Sequence, residues 1–455
     1  MAFTAINPAT GAVIASYEEQ SANEAGQLLA QADRAFAGWR RTDMTHRAAL
    51  MKQAGVLLRK EQASHARLMA QEMGKPVAEG RSEIEKCAWA CDYYAEQAAR
   101  FLAPESIPTD DAKSFVTFQP LGIVLAVMPW NFPFWQVFRA AVPALMAGNA
   151  MALKHASNVP GCAAAIEECF RKAGFPKGLF CNLVVGSVQV AEIIKHPLIK
   201  AITLTGSTPA GQAVASAAGS VLKKTVLELG GSDPYLVLAD ADLNATAAAC
   251  AASRLINGGQ SCIAAKRFIV VEPVRASFER LLVQQMQAAR LGDPLEEATT
   301  VGPMARRDLR DGLHQQVTRS VERGAKLLLG GRIPGGPGAY YPPTVLTDVA
   351  KGMPAYDEET FGPVAAIIPV KDEADAIRVA NDSPFGLGAA VFTGDRQRGE
   401  RIAAEQLETG CCFVNAFVRS DPRLPFGGIK QSGYGRELSS FGIREFVNVK
   451  TVVVA

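Results

Sequence analysis

Cys262 closes the run Asn257-Gly258-Gly259-Gln260-Ser261-Cys262. A nucleophilic thiol needs backbone amides nearby and little steric cover, and the small residues before it provide both. By itself the same cysteine suits a buried core position equally well. Glu228 ends the stretch Lys224–Glu228, directly before Leu229-Gly230-Gly231. A carboxylate at a strand end, backed by a flexible diglycine, can face a cleft and act as a base toward water; it can also be a solvated strand end. Asn131, in Pro129-Trp130-Asn131-Phe132-Pro133, carries an amide able to donate to a developing oxyanion or to cap the next helix. Thr205-Gly206-Ser207-Thr208-Pro209-Ala210-Gly211 joins a strand to a helix and can present a helix N-terminus to a pyrophosphate, although many such turns carry glycine. Asp357-Glu358-Glu359-Thr360-Phe361-Gly362-Pro363 sets a carboxylate near an aromatic ring, as a ribose acceptor beside a stacking platform would be, or as a solvated acidic face would be.

The elements that must position these groups follow from periodicity. Ser21 to Arg100 is helical, with apolar residues at spacings of three and four, and Gly74-Lys75-Pro76 ends one helix before another over Val77–Phe101. The opening, Met1–Gly11, reads as polar and turn-like. Residues 104–108 are a turn-rich break before a strand at Ser114–Gln119. Strands at Gly122–Met128, Ala150–Lys154, Cys181–Val185, Ile199–Thr205 and Lys224–Glu228 alternate with helices, the pattern of a parallel sheet covered on both faces. A second alternating block follows Gly230-Gly231, with strands at Pro234–Leu238, Arg267–Val271, Val364–Val370 and Ala389–Phe392. The valine-rich end, Glu445–Val454, suits a strand that pairs away from its own domain.

At 455 residues the chain is too long for one ordinary core. Its 48% hydrophobic and 20% charged composition is that of a globular enzyme, and a net charge of +2 gives no reason to invoke nucleic acid or a membrane surface. The apolar run Leu121–Pro129 is too short to span a bilayer, and the start lacks the pattern of a signal peptide. Nine cysteines without metal-type spacing point to neither a disulfide scaffold nor a metal site, and a reducing cytoplasm is the simplest compartment.

Taken together and in order, the motifs resemble the aldehyde dehydrogenase superfamily. The resemblance rests on PWNFP at Pro129–Pro133, LELGG at Leu227–Gly231, GQSC at Gly259–Cys262, EETFGP at Glu358–Pro363 and PFGGIKQSGYGRE at Pro425–Glu437. It implies an α/β fold with a Rossmann-type NAD(P)-binding domain over residues 1–100 and 121–229, and an α/β catalytic domain over 230–430. A small bridging and oligomerisation element over 101–120 and 440–455 would build a homodimer or homotetramer. It further implies that Cys262 is the nucleophile, that Asn131 and the Cys262 amide hold the oxyanion, and that Glu228 activates water against a thioester. Lys154 would meet the adenosine ribose and Gly186 would lie near the adenine. Gly206 and Ser207 would approach the pyrophosphate, Glu359 the nicotinamide ribose and Phe361 the nicotinamide. Trp130 and Leu229 would line the same site.

Within the superfamily the chain looks most like the bacterial succinate semialdehyde dehydrogenases. Many NAD-specific relatives carry a glutamate three residues after the lysine, whereas Lys154-His155-Ala156-Ser157 offers a hydroxyl. A glutamate would repel a 2′-phosphate and Ser157 can hydrogen-bond it, so NADP+ is expected to be preferred with NAD+ accepted. The substrate tunnel is expected to include Trp135, Ser261 and the loop Arg419-Ser420. Arg139, eight residues past Asn131, is expected to bind a substrate carboxylate unless it pairs with an internal acid. Glutarate semialdehyde, an uncharged medium-chain or aromatic aldehyde, and acyl transfer to CoA are the competing readings. Ala264 excludes the redox switch that some relatives build from a second cysteine two residues past the nucleophile.

Overall fold

A computed structural model describes residues 2–455. Two large sheets divide the elements. The first has six strands, ordered Gly433–Tyr434, Lys224–Glu228, Ile199–Thr205, Ile123–Met128, Ala150–His155 and Phe180–Asn182. All its neighbours run parallel except Gly433–Tyr434, which lies antiparallel to Lys224–Glu228. The second has seven strands, ordered Lys326–Leu329, Thr344–Thr347, Val364–Val370, Arg267–Val271, Pro234–Val237, Gly388–Phe392 and Cys411–Val414. The central strands of both are buried and lack polar alternation, because helices cover both faces of a parallel sheet. Gly230-Gly231 lies between the last parallel strand of the first sheet and the first strand of the second in sequence.

Helix Val77–Phe101 packs along the first sheet's helical layer and begins where the sequence marks it. Gly74 ends the helix Gln62–Met73 at φ +79, and a Cβ there would stand 2.6 Å from the Pro303 carbonyl oxygen. Upstream, the single helical stretch expected after Ser21 is three helices, Ala22–Trp39, Met44–Lys60 and Gln62–Met73. Asp43 makes one break by capping the second helix through the His46 amide.

The opening is not simply turn-like. Ala2–Ile6 pairs antiparallel with Val13–Glu18, and the polar Asn7–Gly11 segment is only the turn between them. The hairpin is solvated on much of its surface, so it lacks the apolar alternation that marks a half-buried strand. At the other end, Val447–Val454 pairs antiparallel with Lys113–Pro120, and Glu105–Ser106 adds a third strand.

Candidate active site

Cys262 follows a short turn of helix, Ile256–Gly259, in which Asn257 at φ +54 and Gly258 at φ +60 take left-handed backbone. Gly259 is also left-handed at φ +77, and a Cβ on it would run into the Gly362 carbonyl. The strain is held by buried donors. Arg254 Nη2 donates to the Gly259 carbonyl at 2.6 Å, and the Asn257 amide donates to Glu79 at 2.7 Å. Beyond the cysteine, the buried Lys266 ammonium donates to the carbonyls of Ser261 at 3.0 Å, Cys262 at 2.7 Å and Ala264 at 3.2 Å. The carbonyls of the turn are thus drawn toward Lys266. The Cys262 amide donates to no acceptor among the described residues.

Asn131 meets this turn from the end of strand Ile123–Met128. Its Nδ2 donates to the Gln260 carbonyl at 3.1 Å, and its own carbonyl accepts from Asn257 Nδ2 at 2.6 Å. An amide nitrogen carries two hydrogens, so this bond leaves one for another acceptor.

Cys262 is the one residue common to the linings of two cavities. The first, about 270 Å³, is lined by Trp130, Asn131, Gly206, Ser207, Leu229, Glu359 and Phe361. The Trp130 and Phe361 rings stand edge to face at 5.8 Å. Glu359 accepts from the Gly231 amide at 3.1 Å and lies 3.6 Å from the Lys266 ammonium. Ser207 caps the helix Thr208–Gly219. Leu229 packs so closely on Gly211 that a Cβ there would stand 2.6 Å from its methyl carbons. A neighbouring open cleft holds Lys154, Ser157 and Gly186. Burial pushes the Lys154 ammonium down, and it has no ion-pair partner among the described residues. An unpaired, partly desolvated cation beside the exposed Ser157 hydroxyl fits the phosphate-bearing end of a dinucleotide.

The second cavity, about 110 Å³, is lined by Trp135, Ser261, Arg419, Ser420 and Phe426, and also by Arg139 and Lys86. Ser420 is buried and Arg419 exposed. Of the two expectations for Arg139, the structure shows pairing with an internal acid: its guanidinium, 2% exposed, forms an ion pair with the buried Glu437 while still lining the cavity. Its Nη2 donates to Thr205 Oγ1 at 3.1 Å, and it stacks 4.8 Å from the Phe426 ring centre. A buried guanidinium recruits an internal acid in preference to standing unpaired. Glu437 lies in the motif Gly435-Arg436-Glu437 at the far end of the chain, so nothing in local spacing announces the pairing. Lys86, which sequence reasoning passed over, sits in the middle of helix Val77–Phe101 among residues that look like ordinary helix surface.

Burial pushes the Cys262 thiol up to about 12, against the opposing pull of Arg139 and Lys266, so it holds its proton in this state. Glu228 is 2% exposed, and neither of its carboxylate oxygens has a hydrogen-bond partner among the described residues. Burial holds its carboxyl well above the usual carboxylate range; Arg139 opposes this and Glu437 reinforces it. A buried, unpartnered carboxyl near a half-buried thiol can carry protons in turn, provided something in the loaded site favours charge.

The Aldehyde dehydrogenase family model matches residues 1–452. A probable succinate-semialdehyde dehydrogenase (NADP+) of Synechocystis sp. is 48% identical over 455 residues, all of both chains. Succinate semialdehyde dehydrogenase (NAD(P)+) Sad of Escherichia coli is 46% identical, covering 98% of this chain and 96% of its own. The crystal structure of succinic semialdehyde dehydrogenase from Streptococcus pyogenes in complex with NADP+ superposes with a TM-score of 0.97 at 37% identity, over 99% of each chain. The strained cysteine turn, the two cavities that meet at it and these full-length likenesses agree: the chain belongs to the aldehyde dehydrogenase family.

Proposed function

We propose that the protein oxidises succinate semialdehyde, or a similarly short ω-carboxylated aldehyde, to the acid with NADP+ in preference to NAD+. The observation that carries this reading is the pair of cavities sharing Cys262, one with dinucleotide-type features and one small and cationic. The relatives at 46–48% identity support the same substrate and cofactor.

In this reading the Cys262 thiol gives up its proton to solvent water as its sulfur attacks the aldehyde carbon, and the oxyanion that forms accepts from Asn131 Nδ2 and the Cys262 amide. The bound NADP+ supplies the hydride acceptor. Glu228 takes a proton from the water that hydrolyses the thioester. Lys154 and Ser157 hold the adenosine phosphate end, with Gly186 beside the adenine. Gly206 and Ser207 face the pyrophosphate, and Glu359, Phe361, Trp130 and Leu229 position the nicotinamide riboside. On the substrate side Trp135, Ser261, Ser420 and Arg419 border the aldehyde. Arg139, committed to Glu437, supplies positive potential to Cys262 and Glu228.

The six-stranded unit would then be the cofactor domain, the seven-stranded unit the catalytic domain, and the sheet around Val447–Val454 the bridging element. That last strand exposes Val449, Val453 and Val454, an apolar edge suited to a second copy in a homodimer or homotetramer. Nine unpaired cysteines suit a reducing cytoplasm, and no helix among the described residues is long and apolar enough to cross a membrane.

The direct test is kcat/KM for succinate semialdehyde and for butanal, each with NADP+ and with NAD+, read from reduced-cofactor absorbance. Succinate semialdehyde with NADP+ should be the best pair. Equal or better turnover of butanal would overturn the substrate assignment.

A further inference from the structure

Two cations of the substrate cavity, Lys86 and Arg419, have no carboxylate partner among the described residues; Lys86 is half-buried in it, whereas Arg419 is exposed. Helix Val77–Phe101 carries it into the chamber that also holds Ser261, Cys262 and Ser420. Its ammonium donates to Ser420 Oγ at 2.7 Å and lies 4.5 Å from the Trp135 ring centre. An ammonium has three donors, and this hydroxyl uses one. Among the described residues no carboxylate forms an ion pair with Lys86, in contrast to Arg139. Three positions back on the same helix, Glu83 is occupied: it pairs with Lys75 and accepts from the amides of Phe134 and Trp135, both at 2.9 Å. The same contacts anchor the start of helix Trp135–Met146 against helix Val77–Phe101, which fixes Trp135 beside Lys86.

The geometry points to Lys86 as the residue that holds the substrate's carboxylate, with Ser420 and Trp135 as positioning residues for its ammonium. This deepens the reading of the substrate as a short ω-carboxylated aldehyde and rests on it. Ammonium and carboxylate would form a charge-assisted hydrogen bond in a chamber of limited water, while the aldehyde end reaches Cys262.

The groups facing Lys86 are Glu83 and Cys87 from its own helix, Arg139 from helix Trp135–Met146, and Asp421 from the loop after Val418. Asp421 is bound to Arg423 at 2.6 Å. Burial, then the neighbouring Arg139, brings the Lys86 ammonium down to about 8. Lys86 therefore loses its charge as pH rises past that value, and attraction for a carboxylated substrate goes with it. Arginine at the same position would stay charged throughout that range.

The test compares wild type, Lys86→Gln and Lys86→Arg with succinate semialdehyde and butanal, measuring kcat and KM across neutral to alkaline pH. The ratio of the two kcat/KM values at each pH cancels groups common to both reactions. Expected for Lys86→Gln is a KM for succinate semialdehyde raised about 10- to 100-fold, the size of one lost charged hydrogen bond, with a much smaller change in the KM for butanal. In the wild type the ratio should fall above about pH 8, and in Lys86→Arg it should not. Butanal turnover reports that each variant is folded. If Lys86→Gln affects both aldehydes alike, or leaves the succinate semialdehyde KM untouched while the wild type still prefers that substrate, the assignment of Lys86 is wrong. If the wild type shows no preference for the carboxylated aldehyde, the substrate reading itself falls with it.

Discussion

At the residue scale, cofactor choice and acid–base chemistry are set by single side chains in contrasting surroundings. Lys154 and Ser157 border an open cleft and can meet a 2′-phosphate without displacing any internal partner. Replacing Ser157 with glutamate would set a negative charge where the proposed reading puts that phosphate. The expected outcome for Ser157→Glu is a KM for NADP+ raised at least about tenfold with the KM for NAD+ unchanged or lower, by like-charge repulsion at close range. Initial rates with each cofactor check it, and an unchanged NADP+ KM would remove Ser157 from the phosphate site. Much at this scale was legible in the sequence: Cys262, Glu228, Asn131 and Glu359 all stand in unbroken motifs, and the structure brings Cys262, Asn131 and Glu359 to the lining of one cavity. The partners of Arg139 and the setting of Lys86 were not legible. Glu437 is almost 300 positions from Arg139 in the chain, and a lysine in a helix of mixed polarity carries no mark of the cavity it faces.

At the scale of elements, the turn before Cys262 is the most constrained piece of backbone in the site. Gly259 adopts a left-handed conformation with its Cα against the Gly362 carbonyl, so the turn and the segment Glu358–Pro363 are fitted to one another. That segment carries Glu359 and Phe361, and any displacement of it moves the wall of the first cavity. Gly259→Ala should therefore cost about 2 kcal/mol or more and lower activity together with thermal stability. A thermal melt and a rate assay on the same sample check both, and a variant with native stability and full activity would contradict the fit described. The central strands of the two large sheets were readable from alternation because parallel strands are apolar throughout and their helices amphipathic, whereas Lys326–Leu329, Thr344–Thr347 and Gly433–Tyr434 were not read as strands. The amino-terminal hairpin escaped because its strands are solvated, and the three-way division of residues 22–73 because its breaks carry no glycine or proline.

At the scale of the whole molecule, the two sheets bring two cavities to a single thiol. The carboxy-terminal strand leaves its neighbours in sequence to pair with Lys113–Pro120. Its outward Val449 is 59% exposed, an apolar edge that a second copy would cover. Val449→Lys should shift the mass seen by light scattering toward smaller assemblies at a given protein concentration, since a charge on such an edge opposes pairing. An unchanged mass would place the contact elsewhere. The proposed chemistry passes through a covalent step on Cys262 and its release by water activated at Glu228. It is tested most directly by mixing Glu228→Gln with NADP+ and succinate semialdehyde, then quenching and measuring the intact protein and its Cys262 peptide by mass spectrometry. The expected result is a rapid burst of roughly one NADPH per active site, followed by a stall with a succinyl group on Cys262. Steady turnover at the wild-type rate with no acyl group on Cys262 would contradict it.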